Sequence, residues 1–266
     1  MSSESTNYFT KDNLNTYLKE LAKEFRKLNG TAIPAEIILI GGAAILANYG
    51  FRDMTTDVDA VIHASSSMKD AINHVGDKFG LPNGWLNTDF THTGSYSPKL
   101  NEVSEYYKTF SNILQIRTVS AEYLIAMKLR SGRKYKNDRS DIIGILAEHE
   151  KRGTPITREK IDAAVQTLYG GWADIHADTK TFIEDTLRNE RYEEVYASIR
   201  TEEMRSKDIL VGFEQDYPGV TTEANVDDIL SALKAKKPSV LEKLRDAEQV
   251  TAGKSPPKKK RNEPER

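Results

Sequence analysis

Residues 36–62 read EIILIGGAAILANYGFRDMTTDVDAVI, and this stretch decides the fold. Glu36 to Ile40 is a short aliphatic, β-branched run, the pattern of a buried strand. Gly41-Gly42 follows as a tight turn, and Ala43 to Asn48 reads as a short helix capped by Gly50. From Asp57 to Ile62 acid and apolar residues alternate, which gives a second strand with a polar face at its start.

Outward from this stretch the pattern is mostly helical. Leu14, Leu18, Leu21, Ala22, Phe25 and Leu28 keep helical spacing, and Asn29-Gly30 closes that helix as a left-handed cap would. Residues 67–79 read as a helix, 113–119 as a strand, and 121–130, 138–150 and 157–168 as further helices. Residues 82–112 hold several Gly, Pro, Asn and Ser and give no clear period. After Tyr169-Gly170-Gly171 the chain becomes charged and helical over 177–250, and residues 251–266 read as a disordered basic tail. The division expected is an N-terminal helix (1–30), a core (31–170), a helical extension (171–250) and the tail (251–266).

The 266 residues include no cysteine, which excludes a disulfide framework and thiolate metal sites and fits a reducing compartment. The net charge of -2 gives no global reason to bind nucleic acid, although the tail carries six basic and two acidic groups. The N-terminus lacks the basic and apolar regions of a signal peptide, and the longest apolar stretch, Ile37 to Ala47, is well short of the roughly 20 residues a membrane span needs. A cytoplasmic protein with no membrane partner is expected.

The order strand, Gly-Gly, helix, Asp-Val-Asp has a chemical use. Glycines at a strand-to-helix turn let backbone N–H groups approach a ligand, and a helix N-terminus favours anions, which suits a triphosphate. Asp57 and Asp59 are two apart, so both carboxylates emerge on one face, about 6.6 Å apart along the chain. At 4 Å and an effective dielectric of 20, two like charges repel by about 4 kcal/mol. A divalent cation removes that penalty, and hard oxygen ligands select Mg²⁺ or Mn²⁺. Taken singly, a Gly-Gly pair is commonly just a turn and Asp-X-Asp a solvated face.

The stretch IGGAAILANYGFRDMTTDVDAVI resembles the signature of the polymerase-beta-type nucleotidyltransferase superfamily, and Arg52 and Thr55 stand where AbiEii-like (abortive-infection toxin) members carry an arginine and a Ser/Thr. SAEYLIAMKLRSGRKYKNDRSDI (120–142) is similar to later motifs of that group, and LPNGWLNTDF (81–90) resembles a segment of a related bacterial family. The resemblance implies an α+β fold, a small mixed sheet flanked by helices, here with a C-terminal helical extension. It also implies that Gly41 and Gly42 hold nucleotide phosphates, with Arg52, Thr55, Arg133 and Asp138 on the nucleotide side. Asp57 and Asp59 would bind metal, Lys128 would approach a phosphate, and Asp138 and Asp141 would complete or organise the site. Read locally, Lys128 is equally a snorkelling lysine and Asp138 an acid favoured at a helix N-terminus.

One departure stands out. Members of the superfamily carry a third carboxylate on a later strand, and the matching run here, Leu114-Gln115-Ile116, puts glutamine at that position. Gln115 is no base, so the role falls to Asp89, Glu122, Asp138 or Asp141, or is dispensable, or the enzyme is weak or inactive. Between 128 and 139 lie six cations with only Asp138 opposing them, either a solvated helix end or a receiver of triphosphate or RNA. Trp85, Tyr96, Tyr106 and Tyr107 are candidates for base stacking or for packing, and the five histidines show no metal-ligand spacing.

Two functions follow. The first is an enzyme that transfers NMP from an NTP to an RNA (tRNA) or protein acceptor, in a toxin role with a cognate antitoxin as partner. The second is a nucleotide- or nucleic-acid-binding regulator on the same scaffold, without turnover.

Overall fold

The computed structural model describes residues 8–31, 33–222 and 224–235. The expected basic tail and the end of the expected helical extension lie outside the described residues. Helix α1 (Lys11–Asn29) opens on a capping box, with Thr10 and Asn13 bonding reciprocally, and buries Leu14, Leu18, Leu21, Ala22 and Phe25. Gly30 ends it with φ 72° and ψ -157°, so the expected left-handed cap is replaced by a backbone state that essentially only glycine adopts.

Strands β1 (Ala35–Leu39), β2 (Val58–His63), β3 (Leu86–Asn87), β4 (Ser104–Phe110) and β5 (Leu114–Val119) form one mixed sheet in the order β3-β2-β1-β5-β4. β1 runs antiparallel to β2 and parallel to β5, β2 is parallel to β3, and β4 is antiparallel to β5. The flanking helices are α2 (Gly41–Asn48), α3 (Ser67–Phe79), α4 (Ala121–Ser131), α5 (Asp138–Lys151), α6 (Arg158–Tyr169) and α7 (Ala177–Asn189). The fold is α+β, a small mixed sheet flanked by helices. Ile37, Ile38, Leu39, Leu114 and Ile116 are fully buried at its centre, as the aliphatic runs of β1 and β5 require.

Three expectations change in detail. Gly41-Gly42 is the first turn of α2 rather than a turn before it, and the C-cap of α2 is Tyr49 instead of Gly50. Residues 82–112, without a period in sequence, contain β3, β4 and two 3-10 turns (Asp89–His92 and Pro98–Asn101). β4 escapes a sequence reading because it is an edge strand, mostly exposed, with a register shift between Tyr106 and Lys108 that breaks its alternation. Trp85 is packing rather than a base platform: it is buried and donates its indole N–H to the Ile72 carbonyl at 3.0 Å.

Helix α8 (Tyr192–Asp216) carries the chain out of the first compact unit, which ends at Arg205, into a second that begins at Ser206. In that second unit the remainder of α8 and α9 (Val226–Ala235) bury Leu210, Val226 and Leu230. Among the described residues no helix is long and apolar enough to cross a membrane.

Candidate active site

The site is built where β1 passes into α2 beside the start of β2. The change from extended to helical backbone takes place at Gly41, which has φ +54°. An added Cβ at Gly41 would lie 3.9 Å from Asp59 Oδ2, so this glycine faces the aspartate. Ile40 offers no side-chain cap, and no acid stands in the first turn of α2. The helix therefore presents its N-terminal N–H groups and positive dipole end next to Asp59, an arrangement that favours an anion.

Gly42 has a different reason to be glycine. A Cβ there would sit 2.5 Å from Thr55 Oγ1 and 2.8 Å from Arg52 Nη2. Its bare backbone makes room for those two side chains, which are the start of a buried polar chain. Thr55 Oγ1 donates to Asp57 Oδ1 at 3.2 Å, and Arg52 Nη2 donates to Thr55 Oγ1 at 3.4 Å. Arg52 Nη1 donates to both oxygens of Asp141, at 2.9 and 2.7 Å. Lys128 Nζ lies 2.9 Å from Asp141 Oδ2 and 2.8 Å from Asp138 Oδ1. Arg133 closes the chain, with Nε 3.0 Å from Asp138 Oδ2 and its backbone N–H on the same oxygen at 3.2 Å.

These contacts place each expected site residue. Asp57 and Asp59 stand together at the head of β2 beside Gly41. Arg52, Thr55, Lys128, Arg133, Asp138 and Asp141 form one connected network behind them. Lys128 is neither a snorkelling lysine nor an open phosphate ligand, because it is buried and held by two carboxylates. Burial opposes its charge, but Asp138 and Asp141 outweigh burial and hold its pKa above the ordinary lysine value. Burial likewise works against the Asp138 carboxylate, yet the charges of Lys128 and Arg133 win and keep it ionised well below the usual range. Asp138 and Asp141 are both buried and paired with cations, whereas Asp57 is exposed and Asp59 half-buried.

Asp59 behaves differently. Its pKa is raised, first by burial and then by the charge of Asp57, against the pull of Lys136 and Arg133. A carboxylate whose charge is disfavoured in this way gains from a cation. Among the described residues no three acids or histidines gather into a ready metal cage. Two carboxylates alone suit an ion that takes its other ligands from water and substrate phosphates, as Mg²⁺ does. The residues present therefore fit a divalent ion delivered with a nucleotide.

The strand register corrects the reading of Gln115. Gln115 lies beside Glu36, which is opposite His63 at the far end of β2. Ala60, next to Asp59, is opposite Leu39, which lies beside Thr118. Gln115 is thus three residues from Thr118, about 10 Å along the strand, and is not the counterpart of the aspartate pair. It donates instead to Glu36 at 3.2 Å. No position of β5 carries an acid.

A family described as nucleotidyltransferase of unknown function (DUF6036) matches residues 16–148, half of the chain. The chain belongs to this family. The matched segment contains β1 to β5, Gly41, Gly42, Asp57, Asp59 and the whole Arg52–Asp141–Lys128–Asp138 network. Membership gives a general nucleotidyl-transfer role. Comparison with curated proteins and with solved structures gave no match.

One contributor was hidden in sequence. Glu203, on α8, is buried and accepts from the backbone N–H groups of Arg139 and Ser140 at 2.8 and 3.2 Å and from the Ser140 hydroxyl at 2.5 Å. It caps α5 from more than sixty residues away, next to Asp138 and Asp141. No local signal could reveal this, since the acid and the helix end it satisfies share no spacing rule.

Proposed function

We propose that the protein transfers a nucleoside monophosphate from an NTP to a hydroxyl of an acceptor, tRNA or protein, with Mg²⁺ or Mn²⁺ bound by Asp57 and Asp59. The observation that carries this reading is the placement of Gly41 against Asp59, which brings an uncapped helix N-terminus and the paired aspartates to one spot. The α2 N–H groups would hold phosphate oxygens while the acceptor oxygen attacks the α-phosphorus. The new P–O bond forms as the bond from the α-phosphorus to the bridging oxygen breaks, pyrophosphate leaves, and the acceptor hydroxyl gives its proton to solvent. When bound, the divalent ion would offset charge on the phosphoryl oxygens. Arg52 and Thr55 would hold Asp57 in position through the chain that runs back to Asp141. The resemblance to AbiEii-like proteins in IGGAAILANYGFRDMTTDVDAVI supports a toxin role with an antitoxin partner.

The test is incubation of the full chain with each labelled NTP, Mg²⁺ or Mn²⁺, and total RNA or cell protein. Transfer of label that disappears in Asp57→Ala supports the reading. Absence of transfer with every NTP, or transfer unchanged by Asp57→Ala, overturns it. Growth arrest on induced expression in bacteria, relieved by the same substitution, tests the toxin role.

A second reading has its own support. β5 offers no acid to take the acceptor proton, and no group of three acids forms among the described residues. A protein that binds NTP without turnover would show calorimetric affinity for nucleotide and release no pyrophosphate with any acceptor.

A further inference from the structure

Arg52 and Asp141 pair at the centre of the polar network, and the residue before each of them is held by the same helix. Tyr196 of α8 donates its hydroxyl to the Phe51 carbonyl at 3.2 Å, and its ring meets the Phe51 ring edge-on with centroids 5.9 Å apart. Glu203 of α8 accepts from the Arg139 and Ser140 N–H groups and from the Ser140 hydroxyl. Phe51 precedes Arg52, and Ser140 precedes Asp141.

Tyr196 and Glu203 are seven residues apart, two helical turns, so they share one face of α8 about 10 Å apart along its axis. Tyr192 and Ile199 lie on the same stripe and pack on the core. The two segments that α8 grips also touch each other. Gly144 of α5 makes room for Phe51, since a Cβ there would lie 2.5 Å from the ring. Helix α8 therefore bridges the two backbones whose side chains form the buried Arg52–Asp141 fork. A fork keeps its short bonds only while those backbones hold their relative placement. The chain then runs through Thr55, whose hydroxyl reaches the exposed carboxylate of Asp57.

We propose that α8 is a splint for the aspartate site. Tyr196 and Glu203 are positioning residues that set the Arg52–Asp141 pair and, through Thr55, the direction of the Asp57 carboxylate. This rests on the metal-binding reading above and places part of the support for that site beyond residue 148, where the family match ends.

The test uses the full chain and two readouts. Hydrogen exchange over residues 51–59 reports the coupling without any ligand, and Mn²⁺ titration followed by electron paramagnetic resonance reports the site. Glu203→Ala is expected to speed exchange in that segment and to weaken Mn²⁺ binding about tenfold, the effect of losing one hydrogen bond to a charged group. Tyr196→Phe, which keeps the ring and its packing, should shift both readouts the same way by less, and it serves alone if Glu203→Ala does not fold. Glu203→Gln keeps an acceptor for α5 and should restore most of the affinity. Thr55→Val cuts the last link to Asp57, so adding Glu203→Ala to it should cost no further affinity. Val75→Ala, a core truncation on α3, should lower stability and leave Mn²⁺ affinity unchanged. Wild-type exchange and affinity in both α8 variants, a loss no larger than that of Val75→Ala, or an undiminished loss in the Thr55→Val background would overturn the splint while the metal reading stands. If wild type binds no Mn²⁺, the metal reading itself falls and the splint with it.

Discussion

Arg52 and Asp141, 89 residues apart in sequence, meet in a two-pronged pair with Nη1 2.9 Å from Oδ1 and 2.7 Å from Oδ2. Both side chains are largely out of water, at 12% and 4% exposure, so neither charge can fall back on solvent if the other is lost. Arg52→Ala would leave Asp141 with Lys128 alone, a cation it already shares with Asp138. Removing one partner of a buried pair costs about 3–5 kcal/mol. Urea unfolding should show a loss of that order, and Arg52→Lys should restore the charge but not the bonds that Nε and Nη2 give to the Met54 carbonyl and Thr55 Oγ1, giving an intermediate value. A change below about 0.5 kcal/mol would mean the pair is unimportant to the fold.

The two adjacent glycines should respond differently to alanine. At Gly42 the new methyl would press on Thr55 Oγ1 and the Arg52 guanidinium, so Gly42→Ala is expected to lower stability by about 1–3 kcal/mol. At Gly41 the φ of +54° adds a cost of about 1–2 kcal/mol, and the methyl stands next to Asp59. Gly41→Ala should therefore also weaken nucleotide binding. Melting curves with and without NTP and Mg²⁺ separate the two effects, because only Gly41→Ala should lose the ligand-induced rise in Tm.

Asp59 carries a charge that its surroundings disfavour, and replacing it should stabilise the free protein. Burial and Asp57 both raise its pKa, so in the absence of metal its contribution to stability declines as pH rises through that pKa. Asp59→Asn removes the charge at nearly constant volume. In EDTA at neutral pH the variant should melt higher than wild type. Added Mg²⁺ should stabilise wild type and leave the variant unmoved, while nucleotide transfer is abolished.

Glu203 gives a pH signature elsewhere in the same unit. Burial lifts its pKa from 4.5 to about 7, aided by the charge of Asp141, while the bonds from Ser140 and Arg139 pull it back. The folded protein then holds a proton that the unfolded chain releases between about 4.5 and about 7. Stability should fall as pH rises across that window, by at most about 3 kcal/mol. Glu203→Gln keeps an acceptor for the α5 N–H groups and cannot ionise. Its stability should vary less over the same range, measured by urea unfolding at pH 5 and pH 8.

The sequence by itself determined the elements that local chemistry can specify. The aliphatic run 36–40, the Gly-Gly pair and Asp57-Val58-Asp59 were sufficient to place β1, α2 and β2, because burial and side-chain alternation are written along a few consecutive residues. Helices α3 to α6 were legible for the same reason, and the resemblance carried by residues 40–62 led to the nucleotidyltransferase family.

Tertiary structure alone decided what the polar residues face. Lys128 stands out in sequence as a charge within an apolar helix, but only the docking of α5 shows that it is held between two buried acids. Gln115 looked like the counterpart of the aspartate pair until the register of β1 against β2 and β5 set it beside Glu36. Glu203 became a cap for α5 only through the packing of α8. Periodicity fixes which side of an element is buried, but the partner of a charge depends on strand register and helix docking, and both are set by contacts between segments far apart in the chain.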